Sequence, residues 1–233
     1  MKKSRIQAAW QGPAECLDCT IRDLALFADL QESDFQLIHV PIDEIYHEAG
    51  STLYNAGDAG QHVLTLRGGL VKLVQYLPDG TQRIVRLLRQ GAVAGLEVLL
   101  DTPYEHSAIT LHPTPVCRIP VHLINDLDQK TPRLHRQLIE RWHKSVHDAD
   151  DWLTGLSTGS ARARIARLLL YLPVSPSGLR EMFNREDLGA MLGVTTETAS
   201  RIMAELRRSG VIVDKGHNQF ECQIDALREI ADN

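Results

Sequence analysis

Residues 185–210 read REDLGAMLGVTTETASRIMAELRRSG and carry the strongest structural signal in the chain. Apolar residues recur at three- and four-residue steps on both sides of Gly193, which predicts two short amphipathic helices. Thr195 is a good cap for the second helix, which we predict from Thr195 to Ser209. Gly189 leaves room for that helix to cross the first one closely. The stretch therefore predicts a helix-turn-helix, a motif that places its second helix in the DNA major groove.

The exposed side of the second predicted helix has the residue types that read bases. A glutamate accepts a hydrogen bond from cytosine N4, and an arginine donates two to guanine O6 and N7. An ordinary helical hairpin inside a core is the competing interpretation of the same apolar pattern. We predict DNA contacts from Thr195, Thr196, Glu197, Ser200 and Arg201.

The distribution of charge is compatible with a DNA-binding C-terminal part. The 233 residues have a net charge of −5, which by itself does not indicate a nucleic-acid partner. Between residues 160 and 215, however, nine arginines and lysines stand against six acidic residues. A local basic face can bind phosphates while the rest of the molecule stays acidic.

Several functional classes find no support in the sequence. No apolar run approaches the roughly 20 residues of a membrane span, and the basic N-terminus lacks the apolar core of a secretory signal. We therefore expect a cytoplasmic protein with no membrane partner. There is no paired nucleophile and base, no phosphate-cradling loop and no zinc spacing, so we expect no enzymatic activity.

The pair Cys16 and Cys19 forms a CxxC motif near the N-terminus. Such a pair can ligate one metal or cluster, or close a small redox disulfide. Two incidental cysteines in a leader are the alternative. The following residues, Leu24 to Leu37, have a helical pattern of apolar positions.

Short apolar runs separated by turn residues fill the region from Ile38 to Pro120. Gly68-Gly69 and Pro78-Asp79-Gly80 mark two of the turns. Strands of this length and spacing predict a small antiparallel barrel or roll. Residues 125–130 follow as a short polar piece.

A long helix is predicted from Pro132 to about Leu156. One narrow apolar stripe runs along its polar surface at alternating three- and four-residue steps, as in a two-helix coiled coil. Packing against the chain's own barrel is the alternative, but we favour a parallel homodimer, because a dyad explains a helix-turn-helix that reads two half-sites. The stripe consists of Ile139, Trp142, Val146, Ala149, Leu153 and Leu156.

These elements predict an α+β protein with an N-terminal antiparallel β-roll, a long dimerisation helix and a C-terminal winged helix-turn-helix. The segment Gly155–Ser160 is the expected hinge, and strands at 211–213 and 219–224 form the wing. The predicted domains are a cysteine-containing leader (1–30), the β-roll sensor (31–130), the dimerisation helix (131–157) and the DNA-binding domain (158–233).

The order of parts resembles the CRP/FNR family of bacterial transcription regulators over essentially the whole chain. The block ETASR, with Glu197, Ser200 and Arg201, is similar to the recognition helix of the FNR (fumarate and nitrate reduction) type. The resemblance implies a jelly roll like that of cyclic-nucleotide-binding domains and a palindromic double-stranded DNA target with TTGAT-like half-sites. It also implies an activator that contacts RNA polymerase, with the turn at 77–82 resembling the family's polymerase-contacting loop or forming a plain hairpin turn.

The same resemblance implies a [4Fe–4S] cluster, for which this chain matches only part of the ligand set. Cys16, Cys19 and Cys117 stand at three ligand positions, whereas the remaining N-terminal one is Ala25. Cys222 lies in the predicted wing and is not expected to substitute. Two accounts stay open: a cluster held by three cysteines and one non-cysteine ligand, or no cluster and no certain metal.

The cyclic-nucleotide pattern of the family is broken. Leu96 falls on the glutamate position for the ribose, and His106 on the arginine position for the phosphate, so cAMP is not the expected effector. Histidines in or near the barrel leave haem as a further option. We expect a redox, oxygen or nitrogen-oxide signal, with a Cys16–Cys19 dithiol switch or a small-molecule or haem effector in the roll as the alternative.

Overall fold

The computed structural model describes residues 24–35 and 42–232. Cys16 and Cys19 lie outside these ranges. The chain divides into two compact units. One contains the described residues up to 75 together with 86–147, and the other contains 76–85 together with the described residues from 148 onward. None of the helices in the described ranges has both the length and the apolar character that a bilayer span needs.

The predicted antiparallel β-roll is confirmed and consists of two four-stranded sheets. The strands are β1 Asp43–His47, β2 Thr52–Tyr54, β3 His62–Leu66, β4 Val71–Tyr76, β5 Gln82–Leu88, β6 Val93–Ala94, β7 Ser107–Thr110 and β8 Thr114–Pro120. One sheet has the strand order β1-β8-β3-β6 and the other β2-β7-β4-β5. Apolar side chains form the buried interior, and β3 and β4 each bury four consecutive residues.

Both predicted turns of the roll have the residues that their backbone requires. Gly69 has φ +75°, and a Cβ atom there would overlap the Thr114 side chain and the Pro113 carbonyl. In the β4–β5 turn, Leu77 N donates to Thr81 O (2.9 Å), and Gly80 has φ +81°. Only glycine adopts such positive φ values without strain, so these two glycines fix where the chain reverses.

Two helices follow the roll, and the first differs from the sequence-based expectation. Helix α2, counting a short α1 at Glu32–Phe35, spans Val121–Lys130, where we predicted only a polar piece at 125–130. It buries Leu123, Ile124 and Leu127, which lie on one helical face. Helix α3 spans Pro132–Leu156 and begins at the proline that the sequence indicated.

The segment 24–35 is not the continuous helix that we predicted over Leu24–Leu37. Turns occupy most of it, and α1 is its only α-helix in the described residues. Polar side chains of α3 hold the segment: Arg133 Nε and Nη2 donate to Asp34 (3.0 and 2.9 Å), and Arg141 Nη2 donates to the Ala25 carbonyl (3.1 Å). These long-range hydrogen bonds provide partners for the Asp34 carboxylate and the Ala25 carbonyl. A continuous helix through the segment would orient both groups differently.

The other compact unit contains the winged helix-turn-helix. Its sheet has the order β10-β11-β9, and its helices bury an apolar core that includes Ile165, Leu168 and Phe220. The α+β fold class is therefore confirmed, whereas the domain limits given above stay predictions. The elements after α3 are α4 Ala161–Tyr171, β9 Arg180–Glu181, α5 Arg185–Leu192, α6 Thr196–Arg208, β10 Ile212–Asp214, β11 Gln219–Cys222 and α7 Ile224–Ala231.

Candidate nucleic-acid interface

The helix-turn-helix is built by local capping at each end of its turn. Asn184 accepts a hydrogen bond from Asp187 N (2.7 Å) and caps α5. Gly193 ends α5 in the left-handed region at φ +62°. Thr195 Oγ1 accepts from Thr198 N (3.2 Å) and caps α6. Side-chain caps of this kind satisfy backbone N–H groups that have no partner inside the helix.

Gly189 allows the two helices to approach each other. A Cβ atom at this position would lie 2.7 Å from the Val194 carbonyl oxygen, closer than real side chains come to a backbone atom. Helix α6 then buries one face, formed by Ala199, Ile202, Met203 and Leu206. This anchored face fixes the direction in which the opposite face of α6 points.

All five residues predicted to contact DNA are exposed at the start and along the outer face of α6: Thr195, Thr196, Glu197, Ser200 and Arg201. Hydrogen bonds from its own backbone N–H and from the Thr195 side chain hold the pKa of Glu197 below its ordinary value, so the carboxylate is charged near neutral pH. Within the described ranges, neither Glu197 nor Arg201 forms an ion pair. A charged acceptor and a charged fork-shaped donor thus stand one helical turn apart on a face open to solvent.

A further cationic residue was missed in the sequence. Arg185 is the first residue of α5, and within the described residues its buried Nη1 atom has no hydrogen-bond partner. Burial lowers its pKa, and the nearby Arg207 lowers it further, while Asp214 acts in the opposite direction. A guanidinium at a helix N-terminus that has a donor nitrogen without a partner favours an anion such as a DNA phosphate. The feature of the sequence that could have identified Arg185 is its position directly after the Asn184 cap.

The wing is a β10–β11 hairpin whose tip lies at Lys215–Asn218, between the two strands that the sequence predicts for it. His217 and Asn218 both have positive φ values, and Asp214 accepts a hydrogen bond from Gly216 N (2.9 Å). Lys215 pairs with Glu221 (2.8 Å). Cys222 lies on β11, where burial raises the pKa of its thiol, so this cysteine belongs to the wing and its thiolate is disfavoured.

The described residues supply one of the three cysteines proposed for a cluster. Cys117 lies on β8, opposite Glu44 on one neighbouring strand and Thr65 on the other, and is only 9% exposed. Ala25 offers a methyl group where a fourth thiol would stand. No group of three or more histidine, cysteine or acidic side chains suited to a metal occurs in the described part of the chain. The described residues alone therefore do not form a set of cluster ligands.

Neither of the two described positions that the family resemblance assigns to cyclic-nucleotide anchors, Leu96 and His106, has the charged side chain expected there. Leu96 is buried and apolar, and burial lowers the pKa of His106, with Arg86 as a second cause, so its imidazole is neutral near pH 7. Tyr104 stacks on Tyr54 with ring centroids 3.8 Å apart. A neutral imidazole and an aliphatic chain cannot replace a guanidinium and a carboxylate.

Histidines of the roll show no arrangement specific for haem among the described residues. Burial lowers the pKa values of His47, His62 and His106, so these rings are neutral and could act as ligands or as ordinary polar residues. His62 and His122 border an open cavity of about 340 Å³ together with Gln61 and Asn125. The haem hypothesis stays a prediction.

The apolar stripe of α3 is exposed at three positions spaced seven residues apart. Ile139 is 56% exposed, Val146 55% and Leu153 62%. Trp142 and Ala149 are half-buried. Leu156, which we placed in the same stripe, is only 4% exposed. Its burial within this chain argues against a contact with a partner helix. The interface along the other positions stays a prediction.

Two family models match the chain. A cyclic nucleotide-binding domain matches residues 44–131, and a Crp-like helix-turn-helix domain matches residues 163–230. The fumarate and nitrate reduction regulatory protein of Escherichia coli K12 is 28% identical over 224 residues, which cover 93% of this chain and 90% of that protein. The protein of the same name from Vibrio cholerae is 27% identical over 209 residues, 86% of this chain and 84% of that one.

Solved structures support the same architecture. FixK2 of Bradyrhizobium japonicum has a TM-score of 0.74 at 22% identity, over 82% of this chain and 98% of that chain. A CRP-family transcriptional regulator of Thermus thermophilus has a TM-score of 0.72 at 23% identity, over 81% of this chain and 97% of that chain. At these identities the likeness establishes the fold.

Proposed function

Because the chain belongs to the CRP/FNR family of bacterial transcription regulators, we propose that it acts as a homodimeric activator that reads a palindromic DNA site. It is a regulator with a helix-turn-helix DNA-binding domain and not an enzyme. The observation that carries the proposal is the exposed face of α6, where Glu197 and Arg201 lie one turn apart above a buried anchoring face.

The chemistry of this face favours FNR-like half-sites. Arg201 donates two hydrogen bonds to a guanine, and Glu197 accepts one from a cytosine amino group. Ser200, between them on the same face, contributes to the choice of the outer base pair. Arg185 supplies a phosphate contact that positions α5 against the backbone without reading sequence.

The exposed heptad positions of α3 support a parallel dimer. Ile139, Val146 and Leu153 present one apolar side chain every seven residues, the spacing of a coiled-coil seam. A two-fold axis through this seam relates two recognition helices, which then bind half-sites about 34 Å apart. An activator also contacts RNA polymerase, and the turn at 77–82 is our candidate for that contact.

We further propose a redox, oxygen or nitrogen-oxide signal, in line with the names of the relatives, which refer to fumarate and nitrate reduction. Cys16, Cys19 and Cys117 are the candidate ligands of a cluster. The cluster-free alternative is a Cys16–Cys19 dithiol switch, for which Ala25 is the supporting observation, because it removes one expected ligand. A ligand in the roll is the remaining alternative.

Selection of binding sites from random double-stranded DNA tests the DNA-reading proposal. We expect enrichment of a palindrome with TTGAT-like half-sites and a complex that contains two protein chains per duplex. Sequencing of the selected pool and the mass of the complex give both answers. Enrichment of a single, unrepeated half-site would contradict the dimer, and an unenriched pool would contradict sequence-specific binding.

A further inference from the structure

Arg167, in the middle of α4, joins the ends of two other helices. Its Nε donates to the Ala231 carbonyl (2.8 Å), at the end of α7. Its Nη1 donates to the Gly155 carbonyl (3.1 Å), in the last turn of α3, and to the Thr158 carbonyl (2.9 Å), in the segment after α3. One side chain therefore donates hydrogen bonds to three backbone carbonyls.

The electrostatics of this arrangement are favourable. The last carbonyls of a helix lack partners within the helix and carry the negative end of its dipole. A guanidinium has five N–H donors in a fixed plane and keeps its charge, so it can serve several carbonyls at once. Gly159, at φ +81°, passes close to the same group, since a Cβ there would lie 3.4 Å from Arg167 Nη2.

Apolar side chains are buried at the same end of α3. Trp152 is 8% exposed and meets Tyr171 of α4 edge to face, with ring centroids 6.3 Å apart and an interplanar angle of 85°. Leu156 is buried close by in sequence. Residues 148–156 of α3 and the helix-turn-helix belong to one compact unit. The hydrogen bonds of Arg167 add a directional contact to this aromatic one, because the N–H groups of a guanidinium point in fixed directions.

We propose that Arg167 is a positioning residue that fixes the direction in which α3 leaves the DNA-binding unit. This inference rests on the proposed function, because in a dimer that direction determines the separation of the two recognition helices. Arg167 contacts no DNA itself. It makes binding depend on the spacing between half-sites.

Binding to a panel of duplexes tests this role in the full-length protein. The duplexes carry two half-sites at the selected spacing, the same half-sites with one base pair inserted or removed, and one half-site alone. The variants are Arg167→Met, which keeps the apolar stem, and Arg167→Lys, which keeps the charge but not the planar fork. Arg162→Met, at an exposed position of the same helix, is the matched control.

For the unsubstituted protein and the control, we expect a change of one base pair in spacing to weaken binding at least about tenfold. For Arg167→Met we expect a loss of less than about threefold at the altered spacing, with unchanged affinity for the single half-site. Arg167→Lys should lie between the two. A spacing dependence in Arg167→Met equal to that of the unsubstituted protein would overturn the proposal.

Hydrogen exchange distinguishes positioning from general support of the fold. We expect faster exchange of Arg167→Met amides at 155–160 and 228–232, with α6 still protected. Faster exchange throughout the unit would overturn the positioning role and leave Arg167 a folding residue. If the unsubstituted protein itself shows no preferred spacing, the dimeric reading of DNA fails, and this outcome is separate from a failure of Arg167.

Discussion

At the scale of single residues, two arginines of the DNA-binding unit have different surroundings. Arg201 stands on the outer face of α6 without an ion pair among the described residues, where a base edge can reach it. Arg185 sits at the N-terminus of α5 with a buried Nη1 atom that has no hydrogen-bond partner in the described part of the chain. The first position suits recognition of a base and the second suits a phosphate, so their substitutions should have different signatures.

Arg201→Ala should weaken binding to the selected palindrome by about 1–3 kcal/mol and relax the preference at one guanine. The reason is the loss of two hydrogen bonds to that base. Fluorescence anisotropy with matched and singly substituted duplexes measures the effect. Arg136→Ala, on the exposed surface of α3, serves as control. Equal losses on specific and scrambled DNA would show that Arg201 does not read a base.

Arg185→Gln should weaken binding almost equally on all sequences and reduce the slope of log affinity against log salt by about 1. The substitution removes one charge that displaces a counterion from the backbone. Titrations at several salt concentrations, on specific and scrambled duplexes, measure this slope. An unchanged slope would mean that Arg185 contacts no phosphate.

At this scale the sequence predicted the exposed face of α6 but not the role of Arg185. The face follows from the three- and four-residue spacing of Ala199, Ile202 and Leu206, which is local information. The environment of Arg185 depends on Arg207 of α6 and Asp214 of β10, which lie more than 20 residues away in the sequence. The spacing of residues along the sequence does not show which side chains surround Arg185 in the folded protein.

At the scale of elements, the crossing of α5 and α6 depends on the absence of a side chain at Gly189. Gly155 offers a contrast, because a Cβ there would meet no other atom within 4 Å although the residue is also helical. Alanine substitutions at the two positions therefore distinguish the effect of helix propensity on stability from the effect of the close helix crossing.

Gly189→Ala should lower the free energy of unfolding by about 1–3 kcal/mol, since the new methyl group displaces the Val194 carbonyl. Gly155→Ala should raise it by up to about 1 kcal/mol, because alanine is the better helix former and has free space. Urea denaturation followed by circular dichroism measures both. A stabilised Gly189→Ala protein would contradict the close crossing.

Helix α3 makes a second prediction at this scale. Val146→Glu and Leu153→Glu should each convert the dimer into monomers, because a buried charge in the seam has no partner. Lys144→Glu, at an exposed position of the same helix, should leave the mass unchanged. Analytical ultracentrifugation gives the masses. Dimers that persist in both seam variants would exclude this face as the interface.

The errors in predicting elements also have physical causes. Leu26, Phe27 and Leu30 have helical spacing, but they are buried in a segment of turns held by side chains of α3 more than 90 residues later in the chain. The helix-turn-helix, by contrast, was predicted within one residue because Asn184, Gly193 and Thr195 define its ends locally.

At the scale of the whole molecule, the proposed redox signal depends on Cys16, Cys19 and Cys117. Protein purified without oxygen should be brown and contain iron and sulfide if the three cysteines and one further ligand hold a cluster. Absorption spectroscopy and metal analysis measure this directly, with Cys117→Ser as a variant that should lose the colour. Colourless, iron-free protein that binds its DNA site would leave the dithiol switch or a roll ligand as the sensor.

The order of roll, long helix and winged unit was predictable from the sequence, because each part has its own periodicity and turn residues. The burial of Leu156 was not predictable from the sequence. Its spacing continues the stripe of Ile139, Val146 and Leu153, but the end of α3 packs within its own unit, so burial removes it from the surface. Periodicity alone gives the face of a helix and not the length over which that face stays exposed.

The bonds from α3 to the segment 24–35 bear on how parts of this regulator can be exchanged with those of a relative. Asp34 pairs with Arg133, Asp29 with Gln137, and the Ala25 carbonyl with Arg141. A foreign leader grafted at residue 30 would replace Ala25 and Asp29, and with them the hydrogen bonds to Arg141 and Gln137. A working chimera should therefore take residues 24–35 and the first half of α3 from the same protein, because the two segments are bonded to each other.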